Sequence, residues 1–474
     1  MVLKRENTFE KKYNIFLTEL KNEIISGRIK CGEFILPENQ LSRQYELSRV
    51  SIRKALANLV EEGLIEKIPG KGNRVVFSEK ISRQTIKLAW FSTSYELDII
   101  QRIITEYEEH NPYVKVDFQI LPEVEYVDQL TRQMEQGKGP DLFMVSDSQF
   151  RELMEAGKMN LIEPYLSSNL DEDRDSYRQV FGMFSYHGKM VATPLLFSPV
   201  VICYNEKIFE ETGLNVDSIN NWDELLEVAK KCTKDLDGDG LVEQYGFSFS
   251  SSYHRWPVFL LQNHGRLMTA NRNRFTFADK ANVEALQYCI DLMYRYNVSP
   301  IFTHGSNQLA EDIFQKERAA MILTTYYYLN EFRGKNIRWD VLPVPKKELP
   351  STLLLGGGLA INKNSKVKAV AQDMIDFMVS KKAQTILKKF GCTIPVLRSV
   401  AEDNSLLDDK VHPKNYNAFI EVLPYAHTIN ELNLTSSEVK LLQSELNLLW
   451  ANMESPKEAC LRIEKMMNQQ LAES

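Results

Sequence analysis

The sequence predicts an α/β protein in two unequal parts: a small helical head closed by a β-hairpin, then a larger two-lobed body of alternating strands and helices. Three observations predict this. The length of 474 residues, at roughly 100–200 residues per domain, fits one small module attached to a larger two-lobed one. Apolar spacing is helical up to about residue 63, whereas strands and helices alternate beyond residue 86. The charge is also split: residues 1–80 hold 15 Lys+Arg against 11 Asp+Glu, whereas the whole chain holds 57 against 64. A basic head on an acidic body points to a polyanion met by the head alone.

Composition narrows the class. Apolar residues make up 43% and charged residues 26%, and Gly (21) and Pro (17) are unexceptional, which excludes collagen-like and low-complexity chains. The longest apolar stretches, such as Leu195–Tyr204, are interrupted by Ser198 and Pro199 and fall well short of the ~20 residues of a spanning helix. Met1–Tyr13 carries Lys4, Arg5, Glu6, Glu10, Lys11 and Lys12 with no apolar core behind it, unlike a signal peptide; a cytoplasmic protein with no membrane partner is expected. The six cysteines (Cys31, Cys203, Cys232, Cys289, Cys392 and Cys460) are scattered, and the seven histidines form no HExxH. Buried reduced thiols are expected, and neither a disulfide framework nor catalytic zinc.

In the head, Phe9–Ser26 reads as a helix with Tyr13, Phe16, Leu17, Leu20, Ile24 and Ile25 on one stripe and Gly27 as its stop. A short second helix runs from about Pro37 to Tyr45. Ser48 caps the third, whose buried stripe is Ile52, Ala55, Leu56, Leu59 and Val60, with Gly63 closing it. Arg49 and Arg53 stand one turn apart at its N-terminal end, where a recognition helix presents side chains to base edges. Leu64–Ile68, a turn from Pro69 to Arg74, and Val75–Phe77 read as a hairpin with a basic tip, a wing.

This order resembles the winged helix-turn-helix head of GntR-type transcriptional regulators. The resemblance is carried by Ile25-Ser26-Gly27-Arg28-Ile29, Leu36-Pro37-Glu38, Ser48-Arg49, Ser51-Ile52-Arg53-Lys54-Ala55-Leu56, Glu62-Gly63-Leu64-Ile65 and Gly70-Lys71-Gly72. It implies a winged head over residues 8–78 that binds a double-stranded operator as a homodimer. The residues expected at DNA are Glu38, Asn39, Ser48, Arg49, Val50, Ser51, Arg53, Lys54, Lys71, Gly72 and Arg74. Two departures stand out: Glu46 occupies the turn before the recognition helix, where glycine is usual, and the run opening helix two is shifted to Ile35-Leu36-Pro37-Glu38. A non-glycine in a left-handed turn costs about 1 kcal/mol.

Residues 79–85 read as a linker and 86–474 as the body. Strands are expected at Ile86–Phe91, Val114–Phe118 and Leu142–Val145, and helices at Leu97–His110, about Tyr126–Gln136 and Gln149–Ala156. This alternation implies a largely parallel sheet, with ligands beyond the carboxyl ends of its strands. The loops there, Ser92-Thr93-Ser94-Tyr95 and Ser146-Asp147-Ser148, offer hydroxyls, an aromatic and a carboxylate suited to a polyhydroxy ligand.

Residues 86–400 resemble the bacterial extracellular solute-binding proteins, the two-lobed (type II, Venus-flytrap, periplasmic-binding-protein-like) receptors of ABC sugar importers. Marks in the expected order are Glu109-His110-Asn111-Pro112, Gly139-Pro140-Asp141-Leu142, Leu161-Ile162-Glu163-Pro164-Tyr165, Gly188–Pro194, Asn221-Trp222-Asp223-Glu224-Leu225, Tyr245-Gly246-Phe247, Ala320-Met321-Ile322-Leu323 and Gly356–Ile361. The resemblance implies two or three crossings between lobes and a hinge that closes on a ligand. By position it implies a cleft lined by Ser92, Tyr95, Ser146, Asp147, Ser198, Trp256, Gly357 and one or two of Tyr326, Tyr327 and Tyr328. Gly356–Gly358 lacks the Gly-Lys-Ser/Thr of a phosphate loop and reads as a close backbone approach to a ligand or a hinge.

Asp235, Asp237 and Asp239 have calcium-loop spacing, with Glu243 at position nine, but Gly246 stands where an EF-hand has its bidentate glutamate. Bound calcium and a plain Asp/Gly turn are both open; no other cofactor is expected. Residues 397–474 read as helical. The expected function is a non-enzymatic, ligand-responsive transcriptional regulator that senses a small molecule, a sugar or oligosaccharide. Two rivals are weighed. A PLP-dependent aminotransferase body would need a Schiff-base lysine and a phosphate cup, which the sequence does not display. A transport receptor would need export.

Overall fold

The computed structural model describes residues 2–25, 27–76, 83–171, 174–301 and 309–473. In the head, α1 (Val2–Ile25), α2 (Glu38–Gln44) and α3 (Arg49–Glu61) are followed by the wing strands β1 (Ile65–Ile68) and β2 (Gly72–Val75). Phe16, Leu20 and Ile24 of α1 are buried in one core with Ile52, Ala55, Leu56 and Leu59 of α3, the faces that 3.6-residue periodicity brings together. The Ser48 hydroxyl accepts from the Ser51 amide at 3.1 Å and starts α3. β1 and β2 pair antiparallel from Ile65↔Val75 to Ile68↔Gly72, so the second wing strand lies three residues earlier than expected. The turn shortens because Gly72, at φ 117°, already pairs with Ile68. Val60, expected on the buried stripe, is 39% exposed. Ser26, Phe77 and the linker residues 79–82 lie outside the described residues, and Gln84 and Thr85 already belong to the first body strand.

That strand, β3 (Gln84–Phe91), precedes α4 (Leu97–His110), β4 (Val114–Leu121), α5 (Tyr126–Glu135), β5 (Leu142–Ser146) and α6 (Asp147–Glu155). β3 is parallel to both β4 and β5. The middle of the sheet is antiparallel: strand Thr352–Asn362 runs against β5 and against strand Thr193–Asn205. The latter pairs with the first lobe through Thr193–Pro199 and with strand Ala319–Thr325 of the second through Val200–Tyr204. Two antiparallel strands therefore carry the chain between lobes, and one sheet continues through both. The largely parallel sheet expected from alternation is found only in part: β4-β3-β5, Tyr245–Ser248 with Ala319–Thr325, and Thr352–Leu354 with Ala426–Thr428 are parallel, and the middle is antiparallel.

One apolar core gathers Ile86, Trp90, Ile103, Leu142 and Phe150, and a second gathers Trp222, Phe247, Phe259, Leu442 and Ile463. The C-terminal segment is mainly helical as expected, ending in helices Ser436–Glu445 and Pro456–Glu473, but strand Ala426–Thr428 pairs with Thr352–Leu354. Among the described residues no helix is long and apolar enough to cross a membrane. All six cysteines are free, five of them buried.

Candidate DNA-reading face and ligand cleft

On the head, Arg49, Val50, Arg53 and Lys54 are exposed along α3, and Asn39, Lys71 and Gly72 are exposed on α2 and at the wing tip. Ser48 caps α3, and Ser51 turns inward to within 2.7 Å of the Ser48 hydroxyl. Ser51 thus serves the helix start, not the outer face. Arg53 Nε donates to Glu38 at 2.7 Å, which fixes the arginine over the α2–α3 turn. Arg74 lies back along the wing, its Nε donating to Glu66 at 2.8 Å, so Lys71 is the cation at the tip. Glu46 does adopt the left-handed conformation, φ 52°, and its carboxylate accepts from Lys12 Nζ at 2.5 Å.

The head is seated on the first lobe. Tyr113 of the body is 2% exposed within the head's apolar core, and its hydroxyl donates to the Val76 carbonyl at 2.9 Å. Gly27, at φ 81°, packs so tightly on Asn111 that a Cβ there would lie 1.7 Å from Asn111 Oδ1. Arg28 donates to Gln372 Oε1 at 3.2 Å.

Between the lobes lies a cavity of about 1000 Å³, at the upper end of ordinary ligand sites. It is lined by Tyr95, Ser146, Asp147, Tyr327, Tyr328 and Gly357, as expected. Ser146 caps α6 in a capping box with Gln149, which places Asp147 in the first helical turn instead of a loop. Asp147 is 4% exposed; burial pushes its carboxyl up to about 6, against a lowering by Arg151 and nearby amides. Its Oδ2 has no hydrogen-bond partner.

Opposite stand Arg255 and Glu311, 3.8 Å apart, the glutamate buried and the arginine mostly so. Burial lowers the arginine and raises the glutamate. Arg255 Nε and Glu311 Oε2 also lack partners. Buried polar atoms left unpaired are costly, so these three form a ready set of donor and acceptors for a ligand rich in hydroxyls. Tyr95 and Tyr328 meet edge to face at 5.0 Å and supply apolar ring surface.

Across the cleft, Ser148 Oγ lies 2.9 Å from His254 Nε2, and Arg151 Nη1 donates to the Leu434 carbonyl at 3.0 Å. α6 thus touches the second lobe. Burial, with Arg255 and Arg151 nearby, holds His254 down at about 4, so this bridge is uncharged near neutral pH.

Four expected cleft residues lie elsewhere. Ser198 is buried and its hydroxyl accepts from the Tyr326 amide at 2.8 Å, pinning the crossing strand. Tyr326 is fully buried and stacks on Phe419 at 4.1 Å. Trp256 meets Trp450 edge-on at 5.9 Å in the second core. Ser92 is exposed and accepts from the Glu123 amide at 3.3 Å, shaping the loop outside the cavity. The close approaches in Gly356–Gly358 are to protein: a Cβ at Gly356 would meet Met183 Sδ at 2.4 Å, and one at Gly357 would meet Met144 Cε at 2.0 Å.

Comparison with known proteins agrees with this geometry. Residues 15–75 match the model for bacterial regulatory proteins of the gntR family. Residues 93–385, more than half of the chain, match the bacterial extracellular solute-binding protein model. The chain belongs to the bacterial extracellular solute-binding protein family. Its head is a gntR-type winged helix-turn-helix.

Among relatives of this solute-binding body is the arabinooligosaccharide-binding protein of Halalkalibacterium halodurans, 21% identical over 326 residues, spanning 65% of this chain and 70% of the relative. The head is similar to that of the HTH-type transcriptional regulator TreR of Bacillus subtilis, 41% identical over 73 residues, 15% of this chain and 31% of the regulator. A substrate-binding protein of Listeria monocytogenes, Lmo0181, solved with cycloalternan, shares the fold with a TM-score of 0.71 at 22% identity, covering 82% of this chain and all of that one.

Asp235, Asp237, Asp239 and Glu243 converge, one carboxylate oxygen of each lying within 4.8 Å of those of the others. None lines the cleft. Both Asp235 oxygens accept from loop amides, those of Gly238 at 2.6 Å and Gly240 at 2.8 Å, so the loop is closed by its own backbone. Asp237, Asp239 and Glu243 each accept one loop amide as well; carboxylate oxygens are of a type suited to a hard cation such as calcium.

Proposed function

We propose that this protein is a sugar-responsive transcriptional regulator that acts as a homodimer in the cytoplasm. The observation that carries the reading is the joining, in one chain, of a gntR-type head to a solute-binding cleft, with the first lobe seated directly on the head through Tyr113. The head reads an operator with α3 in the major groove and the wing tip at the backbone. The cleft holds an oligosaccharide: its volume exceeds what one small ring needs, its unpaired buried oxygens accept hydroxyl protons, and its tyrosines give ring faces. Among the described residues, eight carboxylate side chains and only Arg255 and Lys440 as cations line it, which disfavours acidic sugars. The names of similar proteins, such as the arabinooligosaccharide-binding protein, point to the same ligand class.

Closure swings the second lobe relative to a first lobe that is fixed on its head. In a dimer this alters how the two heads address half-sites about 34 Å apart, by no more than the ligand's preference for one state, typically about 1–3 kcal/mol. No catalytic step is assigned to the cleft.

The experiment is a thermal-shift screen of mono- and oligosaccharides on the full chain, followed by selection of operators from random duplexes with and without the best sugar. A sugar at 100 times its Kd stabilises the protein by about 2.7 kcal/mol and changes operator affinity. No saccharide response, or an operator affinity indifferent to the bound sugar, refutes the reading.

A further inference from the structure

We propose that Val50 reads the methyl group of a thymine in the operator half-site. The proposal rests on the reading of α3 as a helix that enters the major groove. Val50 is 76% exposed at the second position of α3, where it contributes little to any core of this chain and, being β-branched, little to helix propensity.

Its neighbours give the placement meaning. Arg49, Val50, Arg53, Lys54 and Ala57 are exposed along α3, whereas Ser51, Ile52, Ala55 and Leu56 are buried. At 3.6 residues per turn, the order across the exposed face of residues 49–57, the N-terminal part of the helix, is Arg49, Arg53, Ala57, Val50, Lys54. The midline is apolar and both borders are cationic. Glu38 holds the Arg53 border in place at 2.7 Å.

Such a face matches the major groove, whose edges are phosphates and whose floor is base edges. The first turn of a recognition helix is the part that approaches the floor. An isopropyl group neither donates nor accepts a hydrogen bond. The feature of the major groove that it can favour is the C5-methyl of thymine.

The test replaces each thymine of an operator, selected from random duplexes by the full chain, with deoxyuridine, one position per half-site at a time. The substitution removes a methyl and leaves base pairing intact. At one thymine per half-site the wild-type protein is expected to lose about fourfold in affinity per half-site, the worth of burying one methyl-sized group. Val50→Ser is expected to bind the thymine and deoxyuridine duplexes alike at that position. If no position is sensitive to the methyl, or if Val50→Ser keeps the full sensitivity, the proposal is wrong. A protein that selects no duplex at all would remove the DNA-reading function itself along with the proposal, and that result is distinct from selection without methyl dependence.

Discussion

The hydroxyl of Tyr113, a sensor residue, donates to the carbonyl of Val76, a head residue, at 2.9 Å, and the ring beneath it is buried among head side chains. The reader and the first lobe therefore share packing as well as a peptide connection. Tyr113→Phe removes only the hydrogen bond and is expected to cost about 1 kcal/mol. Tyr113→Ala opens a cavity and is expected to cost about 3–5 kcal/mol by thermal unfolding, and operator affinity should become indifferent to sugar. A sugar response of wild-type size in Tyr113→Ala would show that the signal takes another route.

Gly27 offers a second test of the same junction. Its φ of 81° is unfavourable for any L side chain, and a Cβ would overlap Asn111 Oδ1. Gly27→Ala combines left-handed strain with overpacking, together about 2–4 kcal/mol. Calorimetry should show the head melting separately from the body in this variant; one unchanged transition would contradict the seating.

On the outer face, Arg49→Ala and Arg53→Ala are each expected to weaken operator binding at least tenfold, the range of one lost base contact. Arg53→Ala should be the more damaging, because it also releases the Glu38 carboxylate to repel phosphate. Sugar affinity, measured by calorimetric titration, should be unaltered in both; a parallel loss would mean that the substitutions act through folding.

Asp147 sets an expected pH dependence. Its carboxyl moves from an ordinary 3.8 to about 6 in the folded protein because burial disfavours the charge. The folded state thus holds this proton more tightly than the unfolded state, and the contribution of Asp147 to stability falls as pH rises from about 4 to 6. Above pH 6 the buried charge costs on the order of 3 kcal/mol. Asp147→Asn should therefore raise the melting temperature of the sugar-free protein at pH 7.5 and weaken sugar binding. In the wild type, affinity should decline as pH drops through about 6, since hydroxyl donors favour the ionised carboxylate. His254, already neutral there, does not compete as an explanation. A flat affinity profile between pH 5 and 7.5 would exclude Asp147 from the contact set.

Much of this architecture is legible in the residue pattern, for reasons that individual elements make plain. α4 was expected and found at Leu97–His110, because Ile99, Ile100, Ile103, Ile104 and Tyr107 mark its buried stripe and Asn111-Pro112 ends it. The left-handed Glu46 is legible through the resemblance, in which glycine usually occupies that turn. A crossing at Val201–Asn205 is legible through the resemblance, but the antiparallel pairing of the crossing strands is not: it joins residues more than 150 positions apart, and no local period encodes it.

The cleft divides in the same way. Tyr95, Ser146, Asp147 and Gly357 sit at strand ends or on the crossing strand, where position alone indicates them. Arg255 and Glu311 stand singly in unremarkable segments, and only folding brings them within 3.8 Å. Trp256 and Tyr326 misled because aromatic character says nothing about direction: the first packs in the second core and the second stacks on Phe419.

The seat built from Gly27, Asn111 and Tyr113 bears on engineering. A biosensor made by exchanging receptors behind this reader needs more than a cut at the connecting segment. The incoming module must bring its own counterpart of the Asn111–Tyr113 corner and of Gln372, or the chimera will hold two working halves with no mechanical linkage between them.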